Sequence, residues 1–150
     1  MRIEKDEWYL EIARVVARRS TCARRQVGCV LVDEIGRIMS TGFNGVPRGM
    51  THCTESPCAG AGLPSGTGLD LCASTHGEAN ALLQCPDVER VHTCYSTTEP
   101  CVHCAKLLMN TSCERVLYIE PYPGDAAALW LRTRGPGTWS RFQARVKRPP

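Results

Sequence analysis

The chain of 150 residues carries 18 Lys and Arg against 15 Asp and Glu, a net charge of +3, with 43% apolar and 22% charged residues. That length suits a single domain over residues 1–150 with a core of its own, and the composition excludes a disordered chain. So small a net charge is no argument for nucleic acid or a membrane surface, and no apolar run nears the roughly 20 residues of a membrane span. The first residues interleave charged and apolar side chains and lack the continuous apolar core of a secretory signal. The expectation is a cytoplasmic protein whose 10 cysteines stay reduced, and which therefore uses them for metal or catalysis rather than disulfides.

In chain order, Trp8, Ile12, Val15 and Val16 recur at helical spacing, with acidic residues leading and Arg14, Arg18 and Arg19 trailing. This predicts an amphipathic helix over about residues 4–19. Two β-rich runs, Val27–Val32 and Arg37–Phe43, flank Asp33-Glu34-Ile35-Gly36 and read as an antiparallel hairpin. From Asn44 to Ser74 Gly, Pro, Ser, Thr and Cys dominate and no period survives. A loop of that length is functional or is held by something other than packing. Glu78–Cys85 reads as a helix ended by Pro86, Val91–Ser96 as a strand, Val102–Asn110 as a helix and Arg115–Glu120 as a strand. Tyr122-Pro123-Gly124 breaks the chain before a short helix near Asp125–Arg134, and a last strand is placed near Phe142–Val146. The alternation predicts an α/β fold, a mixed sheet with helices on both faces.

The sharpest chemical signal is His76-Gly77-Glu78 together with Pro100-Cys101-Val102-His103-Cys104. Two thiols three residues apart at a helix start aim at one point, and the helix N-terminus favours their thiolates. One imidazole and two thiolates are three ligands for Zn²⁺, which leaves the fourth tetrahedral position for water, as in catalytic sites. Zinc so held lowers the pKa of bound water toward about 7. Glu78, two residues past the histidine, can move that water's protons. Taken alone, the Cys-x-x-Cys pair could equally be a redox pair or half of a structural zinc site. The His-x-Glu segment and the proline before the first cysteine separate these readings, since H-x-E with P-C-x-x-C is the known signature of zinc nucleobase deaminases. His103 and His92 read as ordinary helix and strand residues. Arg24 and Arg25 offer planar forks for phosphate oxygens, or are simply solvated charge. Asn44 reads as a turn-former, and Tyr122 as a phosphate contact or a strand-end packing residue.

On these residues the chain resembles the cytidine/deoxycytidylate deaminase superfamily and, within it, the deoxycytidylate deaminases, over about residues 8–122. HGEANALL and TTEPCVHCAKLLMN carry the general likeness. Ser20 to Gly28, STCARRQVG, and Ile38 to Gly49, IMSTGFNGVPRG, carry the narrower one, and Tyr122 fits the same pattern. Two positions depart from it. Gly77 stands where alanine is usual, and Glu99 is as familiar from tRNA adenosine deaminases.

The resemblance implies a three-layer α/β/α fold around about five strands and hydrolytic deamination of dCMP to dUMP. Zinc would sit on His76, Cys101 and Cys104, with Glu78 catalytic and Arg24, Arg25, Asn44 and Tyr122 on the substrate. It also implies control by dCTP and dTTP, with Mg²⁺ on the triphosphate, at an effector site including Gly28, Asn44 and Gly45, and a homohexameric assembly. Some relatives carry a second zinc. Cys22 and Cys53 match positions used there, with Cys58 and Cys72 completing the set and His52 as a substitute. A closed four-thiolate site would order the long loop. Cys29, Cys85, Cys94 and Cys113 read as small apolar fillers. Another cytosine nucleotide (dCTP or a 5-modified dCMP), a tRNA or nucleobase substrate, and a non-catalytic zinc module are the alternatives. The near balance of charge disfavours nucleic acid, Arg141, Arg145, Lys147 and Arg148 being the one basic cluster, and a module has no use for Glu78.

Overall fold

The computed structural model describes residues 1–144. Its first element, α1 (Lys5–Ala17), buries Tyr9, Leu10, Ala13 and Ala17, one stripe of a 3.6-residue period. The hairpin strands β1 (Gly28–Asp33) and β2 (Ile38–Phe43) pair antiparallel, Gly28 opposite Phe43 and Leu31 opposite Ser40. Asp33 builds the turn: its Oδ1 accepts the Ile35 and Arg37 amides at 3.1 and 2.8 Å, as a short carboxylate does when it stands in for a backbone acceptor. After the long loop come α2 (Gly77–Gln84), a 3₁₀ turn at Val88–Arg90, β3 (Val91–Thr98), α3 (Val102–Met109), β4 (Arg115–Glu120), α4 (Ala126–Trp130) and β5 (Trp139–Arg141).

The five strands run in the order β2-β1-β3-β4-β5. β1 is antiparallel to both β2 and β3, whereas β3, β4 and β5 are mutually parallel. The sheet is therefore mixed, and the pleat sends alternate residues to two different cores. Val30, Val32, Tyr95 and Leu117 face α1 through Tyr9, Leu10 and Ala13. Cys29, Leu31, Cys94 and Val116 pack with Ala81 of α2, Ala105 and Leu108 of α3, and Trp130 of α4. Three layers, α/β/α, result. Cys29, Cys94 and Cys113 are fully buried in the second core and Cys85 packs against its rim, where a thiol serves as a small apolar group.

Two elements differ from the sequence expectation by more than two residues, the others by no more than two at either end. The last strand lies at Trp139–Arg141, upstream of Phe142–Val146, because burial of Trp139 against Trp130 places the pairing. Phe142 donates its amide to the Tyr118 carbonyl at 2.6 Å and packs its ring against the core beneath α1 without extending the strand, and residues 145 and 146 lie outside the described residues, as do Lys147 and Arg148. The helix α4 stops at Trp130 rather than Arg134, since the chain turns back there and Arg134 stacks its guanidinium 4.6 Å from the Trp130 ring centroid. Among the described residues no helix is long and apolar enough to cross a membrane.

Close backbone approach sets the seating of two helices. A Cβ on Gly28 would stand 2.0 Å from the Ala13 carbonyl oxygen, and one on Gly42 would stand 2.2 Å from both the Gly77 carbonyl oxygen and the Ala81 amide nitrogen. Only glycine permits α1 and α2 to lie so near the strands beneath them.

The start of α1 is tied to the sheet by Asp6. Its carboxylate takes a two-pronged grip from Arg115 of β4 (2.9 and 2.7 Å) and the Tyr95 hydroxyl of β3 (2.7 Å). The Arg115 guanidinium holds the Asp6 carboxyl below its usual range, against the opposing effect of partial burial. A depressed folded-state value means that the stabilisation is complete above the unfolded-state pKa near 3.8 and fades as pH falls through the lower folded-state value. Asp6→Asn is expected to cost about 1–2 kcal/mol at pH 7, discounted for the partly exposed pair. Urea unfolding at pH 7 and pH 3 checks this, with the gap between parent and variant narrowing at the lower pH.

Candidate metal centre and active-site cleft

Two helix starts meet at the end of β3. His76 is the N-cap residue of α2 and Cys101 that of α3, with Cys104 one turn further on. The His76 Nδ1 atom lies 3.4 Å from Cys101 Sγ and 3.5 Å from Cys104 Sγ. A tetrahedral zinc with bonds of about 2.3 Å to sulfur and 2.0–2.1 Å to nitrogen separates neighbouring N and S ligands by about 3.6 Å. The two observed separations are edges of that tetrahedron. Among the described residues this trio is the only set of three or more His, Cys, Asp or Glu side chains whose ligand atoms all lie within 4.8 Å of one another. The donor set thus fits zinc in number, type and spacing.

The electrostatics suit a cation. The Cys104 thiol beside it holds Cys101 down to about 4, and Cys101 in turn holds Cys104 up. The Cys101 sulfur also raises the His76 imidazole above its ordinary value. A divalent ion takes the place of these protons, which makes its binding proton-linked. Glu78, in the first turn of α2, is 3% exposed. Burial raises its carboxyl above the ordinary carboxylate range, and the Ser96 hydroxyl, donating to Oε1 at 3.0 Å, opposes that rise. A buried carboxyl that can hold or release a proton near a metal trio is what general acid–base work requires.

The cleft over this centre is lined by Arg24, Arg25, Asn44, His76, Glu78, Cys101 and Tyr122, and also by Cys22 and Cys72. Val27, Ser65, Ser74, Gly77, Thr98 and Glu99 complete it; of these, Ser65 and Ser74 are the two that no motif marks. Ser96 was equally unmarked, its one signal being a place on the face of β3 shared with Cys94 and Thr98.

The polar residues expected at the substrate also hold the protein together. Asn44 is buried, its Oδ1 accepting from Ser20 Oγ (2.6 Å) and the Val27 amide (2.8 Å) while Nδ2 donates to the Arg25 carbonyl (2.7 Å). Arg24 turns one guanidinium nitrogen to the Gly60, Pro64 and Thr67 carbonyls at 3.1, 3.4 and 2.9 Å. Arg25 stands 5.7 Å from the Tyr122 ring centroid, and its NH1 is buried and, among the described residues, without a hydrogen-bond partner. Gly28 is turned against α1, and Gly45 pairs with Thr75 at the neck of the long loop.

The loop thiols draw together without closing on one point. Cys53 and Cys58 sulfurs are 3.7 Å apart, near the tetrahedral S–S edge of about 3.8 Å. The Ala73 amide, with Gly60 and Cys53 beyond it, holds Cys58 down to about 7. Burial holds Cys72 up, with Cys22 and Cys58 adding to the rise. His52 is exposed. The loop is also anchored without metal, through Arg24, the Gly45–Thr75 bridge and the Thr54 amide on the Thr21 carbonyl at 3.2 Å.

Residues 3–120 match the family model of the cytidine and deoxycytidylate deaminase zinc-binding region. The chain belongs to this deaminase family. It is 39% identical over 126 residues to a deoxycytidylate deaminase of Schizosaccharomyces pombe, covering 81% of this chain and 38% of that one. It is 40% identical over 119 residues to the deoxycytidylate deaminase of Mycobacterium phage D29, 75% of this chain and 92% of that one. It therefore spans about two fifths of the length of the Schizosaccharomyces pombe relative but nearly the whole of the phage one. A dCMP deaminase of the cyanophage S-TIM5, solved with dCMP and dUMP, shares the fold at a TM-score of 0.73 and 23% identity, over 95% of this chain and 99% of that one. The cytidine deaminase-like architecture is thereby established.

As a deaminase of this family the chain should carry zinc on the His76 trio. His76→Ala is expected to weaken zinc retention by more than the roughly 10–100-fold typical of losing an outer-sphere partner. Metal content after equilibration with a competing chelator measures it.

Proposed function

We propose that this deaminase catalyses hydrolytic deamination of dCMP to dUMP with release of ammonia, as one deaminase unit acting in the cytoplasm and supplying the precursor of thymidylate. The observation that carries the reading is one cleft lined by Glu78, by His76 and Cys101 of the metal trio, and by Arg25, whose buried NH1 has no hydrogen-bond partner among the described residues. A buried guanidinium nitrogen lacking an acceptor suits a phosphate oxygen. Relatives that carry the name deoxycytidylate deaminase support the same substrate.

Bound at the trio, zinc supplies a Lewis acid that makes water nucleophilic near neutral pH. Glu78 takes a proton from the attacking water, passes it to ring N3, and assists the amino group as it leaves C4 as ammonia. Ser96 orients Glu78 by its hydrogen bond and favours the ionised form that begins the cycle. Arg25 and Tyr122 receive the 5′-phosphate, Arg24 joins them while holding the loop over the cleft, and the free amide hydrogen of Asn44 reaches the sugar. Glu99, the residue shared with tRNA adenosine deaminases, places both carboxylate oxygens on partners inside the fold, which leaves that alternative without an observation of its own.

A second, structural zinc on Cys22, Cys53, Cys58 and Cys72 is part of the proposal, supported by the 3.7 Å Cys53–Cys58 separation. A homohexamer, and control by dCTP and dTTP with Mg²⁺ at a site including Gly28, Asn44 and Gly45, follow from the family likeness.

Glu78→Gln is expected to retain the catalytic zinc and lose turnover by about 10²–10⁴-fold, followed as loss of cytosine absorbance with dCMP. In the parent, dCMP should react in preference to dCTP, cytidine and deoxycytidine. Turnover of a tRNA anticodon stem-loop but of none of these would sink the reading. Metal analysis should find two zinc ions per chain, falling to one in Cys53→Ser, and a parent value of one would remove the structural site.

A further inference from the structure

Glu99 lines the cleft two residues before Cys101, and its carboxylate is fully engaged. One oxygen accepts the Tyr122 backbone amide at 3.0 Å and the other accepts the Trp139 indole N–H at 2.9 Å. Its own amide donates to the Glu120 carbonyl at 2.8 Å, which carries the β3–β4 ladder one residue beyond Thr98. Tyr122 lies two residues past the end of β4, in the irregular Pro121-Tyr122-Pro123-Gly124 segment. Its ring sits beneath the Arg25 guanidinium and against the loop tip, where a Cβ on Gly66 would stand 3.7 Å from Tyr122 Cζ.

We infer that Glu99 is a positioning residue for substrate binding: through the Tyr122 amide it fixes the ring that carries Arg25, and so sets the phosphate end of the cleft. The inference deepens the dCMP reading and rests on it. A carboxylate is the side chain this place requires, because it presents two acceptors to two N–H donors. A glutamine of the same shape presents one acceptor, and its NH₂ group then faces either the Tyr122 amide or the Trp139 indole as donor against donor. Either way the segment after β4 shifts while the Pro100–Cys101 backbone, held by the strand ladder and α3, stays.

The test is steady-state kinetics of Glu99→Gln with dCMP, alongside zinc content and circular dichroism. The expected result is a KM for dCMP about tenfold higher, with kcat within about twofold of the parent and zinc content unchanged. Trp139→Phe, which keeps the charge but releases one side of the clamp, should raise KM by about two- to threefold with kcat unchanged, and carries the test if Glu99→Gln does not fold. A fall in kcat as large as the rise in KM, a loss of zinc, or no change in either constant overturns the inference while leaving dCMP deamination in place. A parent that does not turn over dCMP overturns the reading of the substrate and this inference with it.

Discussion

Two helices begin at one point in space, and the remainder of the molecule is arranged to keep them there. The first residue before α2 supplies an imidazole, the first before α3 a sulfur, and the next turn of α3 a second sulfur, with separations of 3.4 and 3.5 Å. Each helix start carries partial positive charge, which favours thiolates and the carboxylate of Glu78 alike. The starts coincide because α3 follows the end of β3 directly and α2 lies against the neighbouring strands. The site therefore falls at the C-terminal end of a strand whose chain returns in parallel, where open α/β sheets hold ligands.

Around that point, polar side chains that line the cleft also hold the architecture together. Asn44 makes three hydrogen bonds that join the segment after α1 to the end of β2, and Arg24 gathers three carbonyls of the long loop. Such groups give a cleft made of irregular chain a definite shape, since buried backbone and side-chain polar atoms must find partners. The loop over the cleft needs this help because its Gly- and Ser-rich composition offers little apolar surface to bury.

What the sequence revealed was what lies close together along it. His-x-Glu and Cys-x-x-Cys each occupy about one helical turn, so their residue spacing is already their geometry. The strand and helix order was readable for the same reason, and β4 falls at Arg115–Glu120 as its β-branched and aromatic run implies. Contacts between distant segments were opaque. The partners of Arg24, Asn44 and Glu99 are set by the tertiary fold, so sequence could name these residues but could not see which oxygens and amides they would meet. The misplaced last strand has the same origin, three residues being paired because one tryptophan is buried against another. The loop cysteines show the limit from the other side. Their number and types suggested a closed metal site, and the chain brings two sulfurs to 3.7 Å without closing any three to within 4.8 Å.

The contact between β2 and α2 has a bearing on how this protein can vary. At Gly42 the strand touches the helix backbone with no room for a methyl group, and the helix end resting there holds both the imidazole of His76 and the buried carboxyl of Glu78. A mutation adding a few atoms at that position would alter no charge, ligand or hydrogen-bonding group, yet it would lever the whole first turn away from the sulfurs on the other helix. Among natural variants or library clones, inactivity at Gly42 would look chemically unaccountable on a map of functional groups, and its cause would be purely spatial.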